Sequence, residues 1–210
     1  MMRIERHDIV HLDPAAWPEI VADHPALQAV PEIAGWTGAT RPLIARRPAC
    51  GDRAGMVPLG LALPPALGKR RLALGVRPDA IAAVAPPPRL ADAAAAAPAG
   101  WRDTIAALVA AAPATRCFGS LAWTWLTGLP YGSATSDIDL LWRVASPDRA
   151  AGLAAAITTI EARAPMRLDG EFVTPRNLAV QWREWASAAP EVLAKSADDC
   201  RMAPRAMLFA

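Results

Sequence analysis

The chain has 210 residues, which is enough for one or two small domains with a real hydrophobic core. Its formal net charge of +2 at pH 7 predicts no general attraction to nucleic acid. No apolar run reaches the length that a bilayer requires, because proline, arginine and aspartate interrupt the alanine-rich stretches. The three cysteines have no metal-like spacing, and their odd number argues against a disulfide framework. Because the N-terminus carries early charges and no apolar signal region, we expect a cytoplasmic protein that does not enter a membrane.

The first part of the chain, residues 1–85, is predicted to form a small β-rich domain. Asp13 and Pro14 mark the beginning of a helix, with Asp13 as its N-cap. Short apolar runs bounded by Pro and Gly predict strands over residues 36–48, 56–63 and 69–76.

Two short segments of this domain collect many of the basic residues. They contain Arg41, Arg46, Arg47, Lys69, Arg70 and Arg71. A solvated basic face explains such residues. The alternative is a clamp for phosphates or for an acidic protein partner, because both segments flank predicted hairpin strands that can bring them together. We favour the clamp only because the second domain independently suggests a site for a metal–polyphosphate.

Residues 86–100 are rich in Pro and Ala and are predicted to be a stiff linker, since three consecutive prolines continue neither a helix nor a sheet. A second domain is predicted over residues 101–210. It begins with an amphipathic helix over 101–112, which Pro113 ends.

The centre of this second domain combines two features of a phosphate site. The apolar strand at Arg116–Phe118 stops at Gly119 and Ser120, where a helix is predicted to begin. Such a loop presents backbone N–H groups and a hydroxyl to an anion. Asp137 and Asp139 then enter the next strand two residues apart, so the period of a strand points both carboxylates to one face. Carboxylates next to phosphates are the ligands that Mg²⁺ prefers, so the two features together predict a site for a metal–polyphosphate.

The remainder of the chain continues the alternation of helices and strands. Ser146, Pro147 and Asp148 begin a helix that is predicted to end near Ala164. Strands are predicted over 166–174, with Asp169 and Glu171 on one face, and over 177–185. Lys195 either reaches a phosphate or is a surface lysine, and the last ten residues are assigned no structure.

Gly119-Ser120 followed by Asp137-x-Asp139 resembles the signature of the nucleotidyltransferase superfamily. The longer string GSLAWTWLTGLPYGSATSDIDLLW resembles one branch, the malonate decarboxylase holo-acyl-carrier-protein synthases, also called phosphoribosyl-dephospho-CoA transferases. The segments Arg41-Pro42-Leu43-Ile44, with Arg46-Arg47, and Val57–Leu61, leading into Gly68–Arg71, are similar to the same family. The likeness covers residues 41–195.

This resemblance implies an α+β fold, in which the β-rich N-terminal domain precedes a nucleotidyltransferase-like mixed sheet with flanking helices. It also implies a third carboxylate on the strand beside the first pair, with Asp169 as first choice and Glu171 as second. Asp137, Asp139 and Asp169 would then be catalytic and would hold Mg²⁺. Substrate phosphates would be held by Gly119, Ser120, Arg41, Arg46, Arg47, Lys69 and Arg70, with Glu171 and Lys195 as further candidates.

The same resemblance implies the reactants. The donor would be 2′-(5″-triphosphoribosyl)-3′-dephospho-CoA, and the acceptor a serine hydroxyl on the apo acyl carrier subunit of malonate decarboxylase. Two alternatives stay open: a nucleotidyltransferase that uses ATP on a small hydroxyl compound or a protein, and an inactive nucleotide-binding module. The intact pair Asp137 and Asp139 argues against the inactive module.

Overall fold

The chain forms two compact units in the computed structural model, which describes residues 4–133, 135–187 and 189–210. Unit 1 comprises Met1–Pro87 and Leu126–Tyr131, and unit 2 comprises Pro88–Trp125 and Gly132–Ala210. Both units combine strands with helices, which confirms the predicted α+β class. In the part of the chain that the structure describes, no helix has the length and apolar character needed to cross a membrane.

Unit 1 is built on a five-stranded antiparallel sheet with the order β4-β3-β2-β1-β5. Its strands are β1 (Ile9–Leu12), β2 (Leu43–Ala45), β3 (Val57–Ala62), β4 (Arg71–Val76) and β5 (Ile81–Ala85). Two short helices, α1 (Trp17–Ala22) and α2 (Pro25–Gln28), lie between β1 and β2. As predicted, Asp13 caps the first turn of this segment, and its side chain accepts a hydrogen bond from the Ala15 N–H at 2.9 Å.

Two tryptophans anchor the core of unit 1. Trp17 and Trp36 are each 1% exposed, and both indole N–H groups donate to backbone carbonyls, Trp17 to Ile33 at 2.8 Å and Trp36 to Pro42 at 3.0 Å. A buried tryptophan is stable when its N–H finds such a partner. The bond from Trp36 to Pro42 holds residues 36–42 in a loop. The predicted strand over 36–48 is therefore wrong except at Leu43–Ala45.

Unit 2 contains a six-stranded mixed sheet with the order β11-β10-β9-β8-β7-β6. The strands are β6 (Arg116–Phe118), β7 (Ile138–Arg143), β8 (Leu168–Val173), β9 (Ala179–Gln181), β10 (Glu191–Lys195) and β11 (Cys200–Pro204). Its helices are α3 (Leu90–Ala93), α4 (Arg102–Ala111), α5 (Gly119–Thr127), α6 (Pro147–Glu161) and α7 (Trp182–Ala186). Helix α5 begins in unit 2 and ends in unit 1.

Strands β7 and β8 are parallel, while their neighbours in the sheet run antiparallel. A parallel pair needs a long crossover connection, and α6 supplies it. On one face of the pair the side chains are apolar: Ile138, Leu140 and Leu168 are fully buried, and the rings of Trp142 and Phe172 meet edge to face at 5.6 Å. Because side chains alternate along a strand, Asp139 and Asp169 belong to the opposite face.

Several predicted elements of unit 2 differ in extent. The helix over 101–112 and the helix that Ser146 caps are confirmed, as α4 and α6. The predicted strand over 177–185 is wrong beyond Gln181, because the Gln181 side chain caps α7 and turns the following residues into a helix. Residues 86–100 begin in unit 1 and continue into unit 2, where Leu90 and Ala93 of α3 are buried. The final ten residues contain most of the edge strand β11 and a 3₁₀ turn at Arg205–Leu208.

Candidate functional site

The end of β6 and the beginning of α5 form a corner that Asp139 fills. Phe118, the last residue of β6, has Asp139 of β7 as its partner in the antiparallel register. Gly119 follows with φ of 64°, a left-handed conformation. A Cβ atom at Gly119 would lie 1.8 Å from Oδ2 of Asp139 and 2.7 Å from its Cγ. The Asp139 carboxylate therefore lies directly against the backbone at the N-terminus of α5, and only glycine leaves room for it.

Asp169 lies next to Asp139 in the parallel register of β7 and β8. Neighbouring strands are about 4.8 Å apart, and register partners point to the same face of the sheet. Both aspartates are half-buried. The structure thus brings together two carboxylates from adjacent strands beside the Gly119 corner.

Asp137 lies just before β7 and is exposed. Its negative charge acts on Arg183, as does that of Asp169, which places both carboxylates within electrostatic range of one guanidinium. Hydrogen bonding to Glu161 is the main cause that raises the pKa of Arg183, and the charges of Asp169 and Asp137 raise it further against the effect of burial.

Ser120 occupies the first turn of α5, near a second loop rich in hydroxyl groups. A Cβ at Gly132 would lie 3.4 Å from Oγ of Ser120 and 3.7 Å from Oγ of Ser136. Ser136 in turn accepts a hydrogen bond from the Ser133 N–H at 2.9 Å. Ser120 and Ser136 therefore flank Gly132 between the helix N-terminus and the strand that carries Asp139.

Glu171 and Lys195 form an ion pair on the same face of the sheet. The Lys195 Nζ atom lies 2.8 Å from Oε1 of Glu171, whose exposed fraction is 5%. Next to this pair the face is apolar: Leu141, Val173 and Ala179 form a buried cluster against which Phe118 packs. Polar chemistry on this face is therefore concentrated at the end that carries Asp139 and Asp169.

The basic residues singled out in the sequence lie in unit 1. Arg46 uses all five of its N–H donors: two bonds reach Asp52, and the others reach the carbonyls of Leu59, Arg47 and Leu74. This network gives Arg46 a local structural role. Arg41 lies 5.3 Å from the ring centroid of Trp36. Arg47 is half-buried, and Lys69 and Arg70 are exposed at the turn between β3 and β4.

The oxygen donors near Asp139 suit Mg²⁺. Among residues 4–133, 135–187 and 189–210, no three His, Cys, Asp or Glu side chains come together as a complete metal cage. Mg²⁺ is commonly held by only one or two carboxylates, with water and substrate phosphates completing the shell. Asp139 and Asp169 in neighbouring register fit that pattern, and Asp137 is the additional carboxylate nearby.

Sequence reasoning assigned no role to Gln181 and Arg183, which the structure places beside Asp169. Gln181 donates to Oδ1 of Asp169 at 2.7 Å. Arg183 pairs with Glu161 and donates to the Leu168 carbonyl at 3.0 Å. No local pattern marks a glutamine as the partner of an aspartate twelve residues away, so only the sheet register could reveal this contact.

Comparison with known proteins gives a consistent result over most of the chain. Residues 5–87 match the family model of the phosphoribosyl-dephospho-CoA transferase MdcG N-terminal domain, and residues 89–206 match that of the MdcG C-terminal domain. No solved structure matches the chain significantly.

Curated relatives support this match. A phosphoribosyl-dephospho-CoA transferase of Xanthomonas euvesicatoria is 39% identical over 97% of this chain and 96% of its own length. A protein of the same name from Bradyrhizobium diazoefficiens is 42% identical over 91% of this chain and 86% of its own length. A third, from Xanthomonas campestris, is 40% identical over 86% of this chain and 87% of its own.

Proposed function

This chain belongs to the phosphoribosyl-dephospho-CoA transferase family, and we propose that it transfers this prosthetic group to the acyl carrier subunit of malonate decarboxylase. The donor is 2′-(5″-triphosphoribosyl)-3′-dephospho-CoA, and the acceptor is a serine hydroxyl of the apo carrier subunit. The serine oxygen forms a bond to the phosphorus next to the ribose, and the bond to pyrophosphate breaks. The products are a phosphodiester-linked prosthetic group and pyrophosphate.

The observation that carries the proposal is the position of Asp139 against Gly119 and beside Asp169. The N-terminus of α5 offers backbone N–H groups to a triphosphate, and Ser120 adds a hydroxyl. Asp137, Asp139 and Asp169 would hold Mg²⁺ against the same phosphates. When bound, Mg²⁺ neutralises the charge that develops on the departing pyrophosphate. One of these three aspartates accepts the proton of the attacking serine hydroxyl.

We favour Asp169 over Glu171 as the third carboxylate. Asp169 is the register partner of Asp139, whereas Glu171 lies one step along the face and is paired with Lys195. Burial of a charged pair is tolerated when the partners satisfy each other, so Lys195 compensates the buried charge of Glu171. Arg41, Arg47, Lys69 and Arg70 remain the candidates in unit 1 for contacts with the donor or the carrier, since Arg46 is committed to Asp52.

The test is a transfer assay read by the mass of the carrier subunit. Wild-type protein with Mg²⁺ and the triphosphoribosyl donor should increase the mass of the apo carrier by the prosthetic group, and ATP should give no adduct. Asp139→Asn and Asp169→Asn should abolish the adduct, because each removes an anionic oxygen from the metal shell. Glu171→Gln should retain measurable transfer.

Asp103→Asn is the matched control, since Asp103 is an exposed carboxylate in the first turn of α4. It should behave as wild type. Full activity in Asp139→Asn would refute the site, and an adduct formed with ATP alone would refute the donor.

A further inference from the structure

We propose that Gln181 is a positioning residue, which fixes the carboxylate of Asp169 so that one of its oxygens is presented to the metal. The inference rests on the proposed function of Asp139 and Asp169. It concerns a residue outside the carboxylate set, on the neighbouring strand β9.

Two donors meet the same oxygen of Asp169. The Gln181 Nε2 atom donates to Oδ1 at 2.7 Å, and the backbone N–H of Gly170 donates to Oδ1 at 2.9 Å. Within the described residues no hydrogen bond reaches Oδ2 of Asp169. The two bonds restrict rotation of the carboxylate and leave Oδ2 as the oxygen that can serve as a ligand. Hydrogen-bonded outer partners of this kind orient carboxylate ligands in metal sites.

The orientation of the Gln181 amide is determined by a second contact. Its Oε1 accepts the backbone N–H of Arg183, the hydrogen bond that caps α7. Because the oxygen must face this N–H, the amide nitrogen must face Asp169, and the alternative amide orientation would place two acceptors together. The contact thus joins the beginning of a helix to the candidate metal ligand.

The backbone around Gln181 is itself well supported. The indole N–H of Trp182 donates to the Leu168 carbonyl at 2.9 Å, and Arg183 donates to the same carbonyl at 3.0 Å. Leu168 immediately precedes Asp169, so these two bonds attach the beginning of α7 to β8 directly beside the Gln181 contact. Rigid support on one carboxylate oxygen reduces the entropy lost when a metal is bound.

Two substitutions separate the two tasks of Gln181. Asn is a favourable N-cap residue but is one methylene too short to reach Asp169, so Gln181→Asn keeps the cap and loses the positioning bond. Gln181→Met has similar length and loses both. Ser146→Ala serves as the control, because it removes the cap of α6, where the Ser146 Oγ accepts the Arg149 N–H at 3.2 Å.

The measurement uses Mn²⁺ binding to the full chain, followed by electron paramagnetic resonance, without any substrate. Gln181→Asn and Gln181→Met should both weaken Mn²⁺ binding by about 10- to 100-fold, the range typical for loss of an outer-shell partner. Ser146→Ala should bind as wild type. In the transfer assay, raising Mg²⁺ should restore much of the activity of Gln181→Asn, which a folding defect would not allow.

Asp139→Asn identifies which hypothesis has failed. If Asp139→Asn binds Mn²⁺ as wild type does, the metal site itself is refuted, and the role of Gln181 with it. If Asp139→Asn loses Mn²⁺ while Gln181→Asn binds as tightly as wild type, the metal site stands and the positioning role is overturned. Activity of Gln181→Asn that Mg²⁺ fails to restore would also overturn it.

Discussion

At the scale of single residues, Gly119 has the most demanding environment in the candidate site. Its φ of 64° disfavours any side chain, and its missing Cβ is what allows the Asp139 carboxylate to approach. Gly128, near the other end of the same helix, has φ of 69° but nothing within 4 Å of an added Cβ. A side chain at either glycine would therefore suffer the same left-handed backbone strain, but only at Gly119 would it collide with a neighbouring side chain.

We expect Gly119→Ala to reduce transfer by about 100-fold or more, because the new methyl group must displace Asp139, and misplacement of a reacting group by 1 Å has that order of effect. Gly128→Ala should pay the same left-handed backbone cost, about 1–2 kcal/mol, yet keep its activity. Steady-state rates of the two variants, compared at equal folded fraction, test this. Equal activity in both would show that Asp139 does not need its place against Gly119.

Asp52 gives unit 1 an acid-sensitive contact. Hydrogen bonds from Arg46 are the main cause that lowers the pKa of Asp52 from 3.8 to about 2, and the Ala49 N–H contributes. A lowered folded pKa means that the carboxylate stabilises the fold above the unfolded value and loses this effect as it is protonated. The stabilisation by Asp52 should thus be complete above pH 3.8 and should disappear as the pH falls toward 2.

The measurement is the free energy of unfolding at several pH values between 5 and 2, taken from denaturant titrations. Asp52→Asn should be less stable than wild type at pH 5, and the difference between the two proteins should shrink as the pH falls. A difference that stays constant across this range would contradict the assignment.

At the scale of elements, β8 packs so closely against β7 that almost no space is left for a side chain at Gly170. A Cβ at Gly170 would lie 2.6 Å from the Leu140 carbonyl oxygen and 2.6 Å from Cζ3 of Trp142. The glycine between Asp169 and Glu171 is therefore required by the packing of β7 against β8. This packing fixes the register that brings Asp139 and Asp169 together.

Gly170→Ala should destabilise the protein by about 1–3 kcal/mol, the usual cost of overpacking a core. Gly152→Ala is the matched control, because Gly152 lies exposed inside α6 with nothing within 4 Å of an added Cβ. This second variant should gain about 0.5–1 kcal/mol, since alanine is the better helix former. Thermal unfolding of both variants should show changes in stability of opposite sign. A Gly170→Ala variant as stable as wild type would refute the close contact.

How far the sequence predicts each element depends on how local its cause is. Helix α6 was predicted because Ser146 and Pro147 determine its start within a few residues. The end of β9 was mispredicted, because the alternation continues through Arg183 and Trp185 while the Gln181 cap starts a helix. β11 was missed because its exposed residues carry no apolar pattern, and pairing with β10 defines it.

At the scale of the whole molecule, the two family models and the two compact units nearly coincide. The models divide the chain between residues 87 and 89, and the units divide at Pro87, except that Leu126–Tyr131 belongs to unit 1. Tyr131 shows the reason, since its hydroxyl donates to the Ala62 carbonyl at 2.9 Å, across 69 positions of sequence. Sequence reasoning placed this segment in the second domain, because no nearby residue signals a contact so far along the chain.

The assignment of Leu126–Tyr131 to unit 1 has a consequence for engineering within the family. A chimera that exchanges the N-terminal halves of two relatives at residue 88 would combine unit 1 of one relative with Leu126–Tyr131 of the other. Exchanging Leu126–Tyr131 together with the N-terminal half would make hybrid proteins in which all of unit 1 comes from one relative. The partner choice of such hybrids can be compared while unit 1 stays intact.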